Sequence, residues 1–261
     1  MTEWSGGGAP NAEAFEVAKA IEALVGARRD RRRLDALPEG ARPRTDAEAY
    51  AVQDGVAARL GRVGGWKVGA KGPASEPFRA PIMADALFPA GPVPAARFNL
   101  IGVEAELAYR FDRALPRRAE PYGVEEVSDA VGAVLPAIEV LDTRFAGLGT
   151  ADALSHRADH QNGGALILGP PVSDWRGIDP PRQPVQLWIG GVLRHEGVGG
   201  NTAVDNLRLL VWLANGGAGA GGIAAGQVVT TGSCSGTDLV EPGTRVRAVF
   251  ASLGEVEALI A

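Results

Sequence analysis

Three glutamates offer the most specific chemistry in this chain: Glu104 and Glu106 in VEAELAYRF, and Glu139 in LPAIEVLDTRF. Both segments otherwise read as buried β-strand. Side chains alternate faces along a strand, so Glu104 and Glu106 share one face while Val103, Ala105 and Leu107 share the other. Glu139 sits between Ile138 and Val140, in a run apolar enough for a core. Buried carboxylates are held by pairing or by a metal. Three that converge repel one another without a cation. An all-carboxylate set is hard and suits Mg²⁺ or Mn²⁺ rather than Zn²⁺, which takes His or Cys. Spacing alone leaves a second reading open, in which this strand face is solvated and the glutamates are ordinary surface charges.

Lys67 lies in GGWKVGA between Trp66 and Val68. A lysine desolvated on a short apolar strand has a lowered pKa and suits proton transfer. The alternative is a snorkelling or salt-bridged side chain. HRADHQNGG brings His156, Arg157, Asp159 and His160 into a segment too polar for a strand, read here as a loop. Asp159 or His160 can orient a metal-bound water there, or Asp159 can simply stabilise a turn. TTGSCSGTD follows a strand, and its small residues let backbone N–H groups approach an anion such as a substrate carboxylate. Its Cys234 has no His or Asn at a spacing that marks a thiol nucleophile. NGGAGAGGIAAG follows a helix and precedes a strand, the reverse of the order a dinucleotide-binding loop needs.

These residues must be positioned by a chain of 261 residues, 46% hydrophobic and 22% charged, ordinary values for a globular protein. The net charge of -5 argues against nucleic-acid binding. No apolar run approaches membrane-spanning length, and the N-terminus lacks a signal pattern. A single cysteine excludes an intrachain disulfide and makes the reducing cytoplasm the expected compartment. Met1–Pro10 reads as a mobile tail. Asn11 is placed to cap a helix running to about Arg33, with Phe15, Ala18, Ile21, Leu24 and Val25 on one face. The arginines at 28, 29 and 31–33 then form either a solvated helix end or a site for phosphate or an acidic partner. Thr45 or Asp46 starts a second helix, closed by Gly61. From Gly65 strands dominate: GGWKVGA, then a Gly/Pro-rich loop through Pro81, then segments near 99–111, 133–145, 164–168, 184–194, 227–231 and 244–252. Gly190–Gly191 reads as a hairpin turn. Helices are expected over 122–134 and from a Thr202 cap to Asn215. The pattern is an α+β fold: a helical part over 11–64 and a β-rich body over 65–261, with no clear linker between them.

GWKVGAKGP, VEAELAYRF, VLPAIEVLDTRF, ADHQNGGALILG and VVTTGSCSG occur in an order that resembles the fumarylacetoacetate hydrolase superfamily. The wording of GWKVG and of the Glu139 segment points to its 2-keto-4-pentenoate hydratase branch, which includes 2-oxohept-3-ene-1,7-dioate hydratase and 4-oxalocrotonate decarboxylase. The resemblance covers roughly residues 45–260. It implies a mixed β-roll or distorted barrel with a smaller helical N-terminal part, a homo-oligomer, and a 2-oxo acid substrate. It implies Mg²⁺ or Mn²⁺ on Glu104, Glu106 and Glu139, with Lys67 in the active site. It further implies Asp159 near the metal and Thr231–Gly232 holding the substrate carboxylate. EPFRAPIMADALF departs from the family's substrate-covering stretch, with Arg79, Ala80 and Pro81 where Gly is common. His160 stands where many relatives have Asn. Arg79 and the Arg157/His160 pair can accept a second substrate carboxylate, or bridge to Asp and Glu. The expected reaction is hydration of a 2-hydroxy-2,4-dienoate in aromatic-compound catabolism. Decarboxylation of a 4-oxalocrotonate-like acid, C–C hydrolysis of an acylpyruvate, and a non-catalytic binding protein are the alternatives.

Overall fold

The computed structural model describes residues 15–261; Met1–Pro10 and the Asn11 cap lie outside that range. The first helix, α1, is Val17–Arg29, and buries Ala20, Leu24 and Ala27, spaced four and three apart. It ends at Asp30, so Arg31, Arg32 and Arg33 are not helical. α2 is Asp46–Leu60, capped by the Thr45 hydroxyl, which accepts from the Glu48 N–H. The two helices share an apolar cluster of Leu24, Leu37, Val52, Val56, Phe145 and Ala158.

Strands follow as β1 Val63–Gly69, β2 Phe78–Met83, β3 Leu87–Pro89, β4 Gly91–Val93 and β5 Gly102–Phe111. α3 (Val124–Ala130) leads into β6 (Val131–Leu141), α4 (Ala153–Ala158) into β7 (Gly163–Leu168). β8 (Gln183–Ile189), β9 (Val192–Gly199) and α5 (Asn206–Trp212) come next. β10 (Val228–Ser233), β11 (Asp238–Leu239), β12 (Arg245–Phe250) and β13 (Gly254–Ile260) complete the chain. β8 and β9 form the expected hairpin, with Gly190 and Gly191 both at positive φ.

One sheet runs β2-β1-β10-β5-β6-β7-β3, with β11 on the end of β5; the second runs β4-β13-β12-β8-β9. Val103, Leu107, Tyr109, Ile138 and Val140 pack with Leu187, Val246, Phe250 and Val256 of the second sheet in the main core. Neither sheet closes on itself, so the fold is mixed α+β with two open sheets rather than a barrel. Among the described residues no helix is long and apolar enough to cross a membrane.

Three local expectations are corrected. The loop expected through Pro81 ends earlier, at Phe78, where strand β2 begins; Pro81 is tolerated there because β2 is the sheet edge. Helix 122–134 stops at Ala130, where β6 begins. The cap of α5 is Asp205, while the Thr202 hydroxyl donates to the Ala70 carbonyl.

Candidate active site

β5 and β6 are antiparallel neighbours in a register that sets Glu104 directly opposite Glu139 and Glu106 opposite Ala137. Val103, Ala105 and Leu107 face the core, which turns all three carboxylates to the other face of the sheet. One oxygen from each of Glu104, Glu106 and Glu139 lies within 4.8 Å of the others. Glu106 and Glu139 are buried and Glu104 is half-buried. The solvated-face reading therefore does not hold.

β1 lies beyond β10 in the same sheet and brings Lys67 into this cluster. Its glycines permit a tight approach: a Cβ at Gly65 would collide with the Val228 carbonyl. The Lys67 ammonium sits 2.5 Å from Glu139 Oε1 and donates to the Gln161 carbonyl at 3.0 Å. Burial pulls its pKa down, but Glu139 and Glu106 outweigh that and hold it above the usual lysine value. The expected lowering does not occur because the carboxylates surround the ammonium. Glu106 is pushed well above the ordinary carboxylate range by burial and by the negative charges of Glu139 and Glu104. Glu139 is raised as well, by burial first and by the charge of Glu104, against the lowering pull of Lys67.

β10 bulges against β5 between Thr230 and Ser233. Gly232 takes φ +104 there, in the region open to glycine, and its N–H donates to Glu106 Oε2 at 3.2 Å. The Thr237 hydroxyl donates to Glu104. These elements enclose a cavity of about 290 Å³ lined by Lys67, the three glutamates, Thr230, Thr231 and His156. Glu139 Oε2 and the hydroxyls of Thr230 and Thr231 are buried there without hydrogen-bond partners. A cluster of hard carboxylate oxygens with one buried oxygen unpartnered fits a divalent cation.

The structure brings together Lys67, Glu104, Glu106, Glu139, Thr231 and Gly232. It sets three other expected residues apart. Asp159 is fully buried and accepts from the Arg144 guanidinium at 2.6 Å, from the Arg144 N–H at 2.9 Å and from Arg28 at 3.3 Å. Its acceptors are committed to this network, so it does not orient a water at the carboxylates. His160 is buried with Nε2 3.1 Å from the Gln53 carbonyl. It lines a second cavity of about 350 Å³, which touches Glu139 from beside Arg28, Asp142 and Arg144. Burial and the charges of Arg28 and Arg144 hold His160 well below the usual histidine value. Arg79 is clamped by Asp54 at 2.6 and 2.9 Å and by Gln53 at 2.8 Å, and stacks over Tyr50 and Trp66. It joins α2 to β2, and does not line the carboxylate cavity. Arg157 pairs with Asp46, so the Arg157/His160 pair does not form a carboxylate receptor.

The N-terminal arginines divide: Arg29 and Arg32 are exposed at the helix end and pair with Asp30, while Arg28, Arg31 and Arg33 reach into the body. Arg28 reaches Asp159, Arg31 the Phe98 carbonyl, and Arg33 the carbonyls of Asn99 and Ala146. They tie the helices to the body. His156, Gln161 and Asn162, to which the sequence pattern assigns no role, also line the site. His160, Gln161 and Asn162 have φ of 52°, 54° and 59°, three consecutive side-chain-bearing residues in left-handed backbone. This run costs about 1–2 kcal/mol per residue, and it aims the Gln161 carbonyl at Lys67.

The family model for the fumarylacetoacetate (FAA) hydrolase C-terminal region matches residues 70–261. The chain belongs to the fumarylacetoacetate hydrolase family. No curated protein sequence matches it. Among solved structures, 4-oxalocrotonate decarboxylase from Pseudomonas putida G7, complexed with magnesium and adipate, superposes with a TM-score of 0.81. The two are 23% identical over 94% of this chain and 97% of that one. Fumarylpyruvate hydrolase from Pseudomonas aeruginosa, with Mn²⁺ and pyruvate, has a TM-score of 0.54 at 17% identity, covering 74% of this chain and 87% of the other. 2-Hydroxyhepta-2,4-diene-1,7-dioate isomerase from Mycobacterium marinum has a TM-score of 0.56 at 15% identity, covering 76% and 75%. At these identities the likeness concerns the fold. The neighbours catalyse three different reactions on it, so fold alone does not select among them.

Proposed function

We propose that this fumarylacetoacetate hydrolase family member is a divalent-metal-dependent hydratase of a 2-hydroxy-2,4-dienoate, forming a 4-hydroxy-2-oxo acid. The observation that carries the reading is Lys67 in hydrogen-bond contact with Glu139 inside the carboxylate cavity. Glu104, Glu106 and Glu139 would hold Mg²⁺ or Mn²⁺, which, when bound, supplies positive charge to a substrate enolate. Lys67 is held as an ammonium by its two acceptors and is the proton donor of the site. The unpartnered hydroxyl of Thr231 is free to donate to a substrate carboxylate, while the Gly232 N–H is engaged by Glu106. Gly232 thus steadies the carboxylate cluster, and Thr230 and Thr231 face the ligand. The cavity of about 290 Å³ suits a small acid.

Decarboxylation of a 4-oxalocrotonate-like acid is the second reading. It is favoured by the decarboxylase structure, which matches 94% of this chain against 74–76% for the hydrolase and isomerase. Purified protein stripped with EDTA and offered 2-hydroxypenta-2,4-dienoate, with and without Mg²⁺, tests the hydratase. Metal-dependent loss of dienol absorbance with 4-hydroxy-2-oxopentanoate as product supports it. Inertness toward dienols, with CO₂ release from 2-oxo-hexenedioate, transfers the assignment to decarboxylation.

A further inference from the structure

We propose that His156 is a second acid–base residue of this site, the proton acceptor opposite the Lys67 donor. The inference rests on the hydratase reading for its role, and on geometry for its place. The short helix α4 is fixed by the Asp152 carboxylate, which accepts from the N–H groups of Leu154 and Ser155 at 3.0 and 2.9 Å. Ala158, near its end, packs into the apolar cluster shared with α1 and α2. With that side docked, His156 lines the carboxylate cavity beside Lys67 and Gln161. Its Nε2 is buried and has no hydrogen-bond partner. A buried ring nitrogen left unpartnered in a polar cavity is a vacancy for a ligand or a reacting water.

Adding water across a double bond needs one group to take a proton and one to give it. Lys67 cannot take it, because its ammonium already donates to Glu139 Oε1 and the Gln161 carbonyl. The three carboxylates would hold the cation, and Glu139, Glu106 and Glu104 already accept from Lys67, the Gly232 N–H and the Thr237 hydroxyl. The cavity's threonines, asparagines and Gln161 are not bases at neutral pH. His156 is the remaining acceptor among the residues that line the cavity. Burial first, and then the charge of Lys67, hold it below the usual histidine value, against Asp159 and the Gln161 backbone, which favour its charged form; Arg157 adds to the lowering. It therefore stands neutral at pH 7.

The step balances. The dienol first ketonises, losing the C2 hydroxyl proton and gaining one at C5. As the oxygen of water then bonds to C4 of the resulting 2-oxo-3-enoate, one water proton passes to His156. A proton from the Lys67 ammonium goes to C3, and the C3–C4 π bond is consumed. The imidazolium then returns its proton to the Lys67 amine, and the site is restored with H and OH added across the bond.

The chain has three histidines, so its imidazole spectrum is simple. ¹⁵N-histidine-labelled full-length protein is titrated between pH 4 and 8, with His156→Asn supplying the assignment. Mg²⁺ with pyruvate is then added as a probe of the cavity. The His156 resonance is expected to titrate below its usual value and to move with the probe. In parallel, His156→Asn and His156→Gln are assayed on 2-hydroxypenta-2,4-dienoate across pH. A 10²–10⁴-fold loss of kcat with little change in KM, and loss of the acidic limb of the pH profile, is expected. Wild-type rate and an unchanged acidic limb in either folded variant overturn the proposal. If the wild type itself turns over no dienol, the hydratase reading fails and the spectrum decides: a His156 resonance unmoved by Mg²⁺ and pyruvate removes His156 from the site, and a shifted one keeps it there.

Discussion

Replacing Glu104 with Gln separates the cation site from the fold that carries it. Glu104 stands directly across the strand pair from Glu139, and the triad oxygens lie within 4.8 Å of one another. Two like charges at that separation repel by about 3 kcal/mol at an effective dielectric of about 20. Glu104 is half-buried, so solvent screens much of this, and about 1 kcal/mol is the expected relief in chelated protein. The amide keeps an oxygen for the Thr237 hydroxyl. Glu104→Gln is therefore expected to melt about 2–4 °C higher than wild type in EDTA. Cation binding has the opposite signature. At about 100 times its Kd, Mg²⁺ stabilises wild type by about 2.7 kcal/mol, a rise of about 5–10 °C. In Glu104→Gln that rise is expected to shrink to less than about 2 °C, because one anionic ligand is gone. Differential scanning calorimetry in EDTA and over a Mg²⁺ series measures both. A full Mg²⁺ response in the variant, or none in the wild type, refutes the assignment of these carboxylates to a cation.

Lys67→Met keeps the length of the side chain and removes the proton donor; kcat is expected to fall about 10²–10⁴-fold while the Mg²⁺-induced rise in melting temperature persists, and a rate within tenfold of wild type excludes Lys67 as donor. Asp159→Asn leaves the guanidiniums of Arg144 and Arg28 without their buried counter-charge, so urea unfolding is expected to show a loss of about 3–5 kcal/mol; a variant of wild-type stability that has lost only turnover would return Asp159 to the chemistry. His160 is neutral in the fold because its pKa is lowered, so below about pH 6.5 the unfolded chain takes up a proton that the native chain refuses. Stability is then present above that pH and lost as pH falls, at up to about 1.4 kcal/mol per pH unit for one proton, and His160→Asn is expected to flatten this acid limb in urea denaturation between pH 4 and 7.

The shared face of the carboxylates was legible because strand geometry has a period of two. Alternation placed Glu104 and Glu106 together, and only the β5–β6 register was needed to add Glu139. The segment from His156 to Asn162 was not legible, because α4 is a six-residue helix with a weak periodic pattern. α4 ends at Ala158, and the left-handed turn that follows sets His160 against Gln53 while His156 lines the carboxylate cavity. Pro81 disguised β2, since a proline argues against a central strand and says nothing against an edge. The partners of Arg79 and of the arginines at 28, 31 and 33 could not be named from sequence because they lie 25 to 131 residues away. β13 was missed where Gly254, Glu255 and Glu257 interrupt its apolar pattern, yet Val256, Ala258 and Ile260 are buried.

The left-handed run at residues 160–162 is held from both sides of the family boundary: inside it the Asp142 N–H donates to the Asn162 carbonyl and Arg144 holds Asp159. Outside it, since the family match begins at residue 70, Gln53 of α2 grips His160, and Arg28 of α1 grips the neighbouring Asp159. The carboxylates and Lys67 belong to the sheet, but the carbonyl that orients the lysine takes its aim in part from the N-terminal helices. On the proposed reading, the carboxylates that would hold the cation and the carbonyl that orients the proton donor are thus braced by different elements. On that reading, a change in the grip of the helices on residues 159 and 160 would move the carbonyl that meets Lys67 while the three carboxylates keep their places in the sheet.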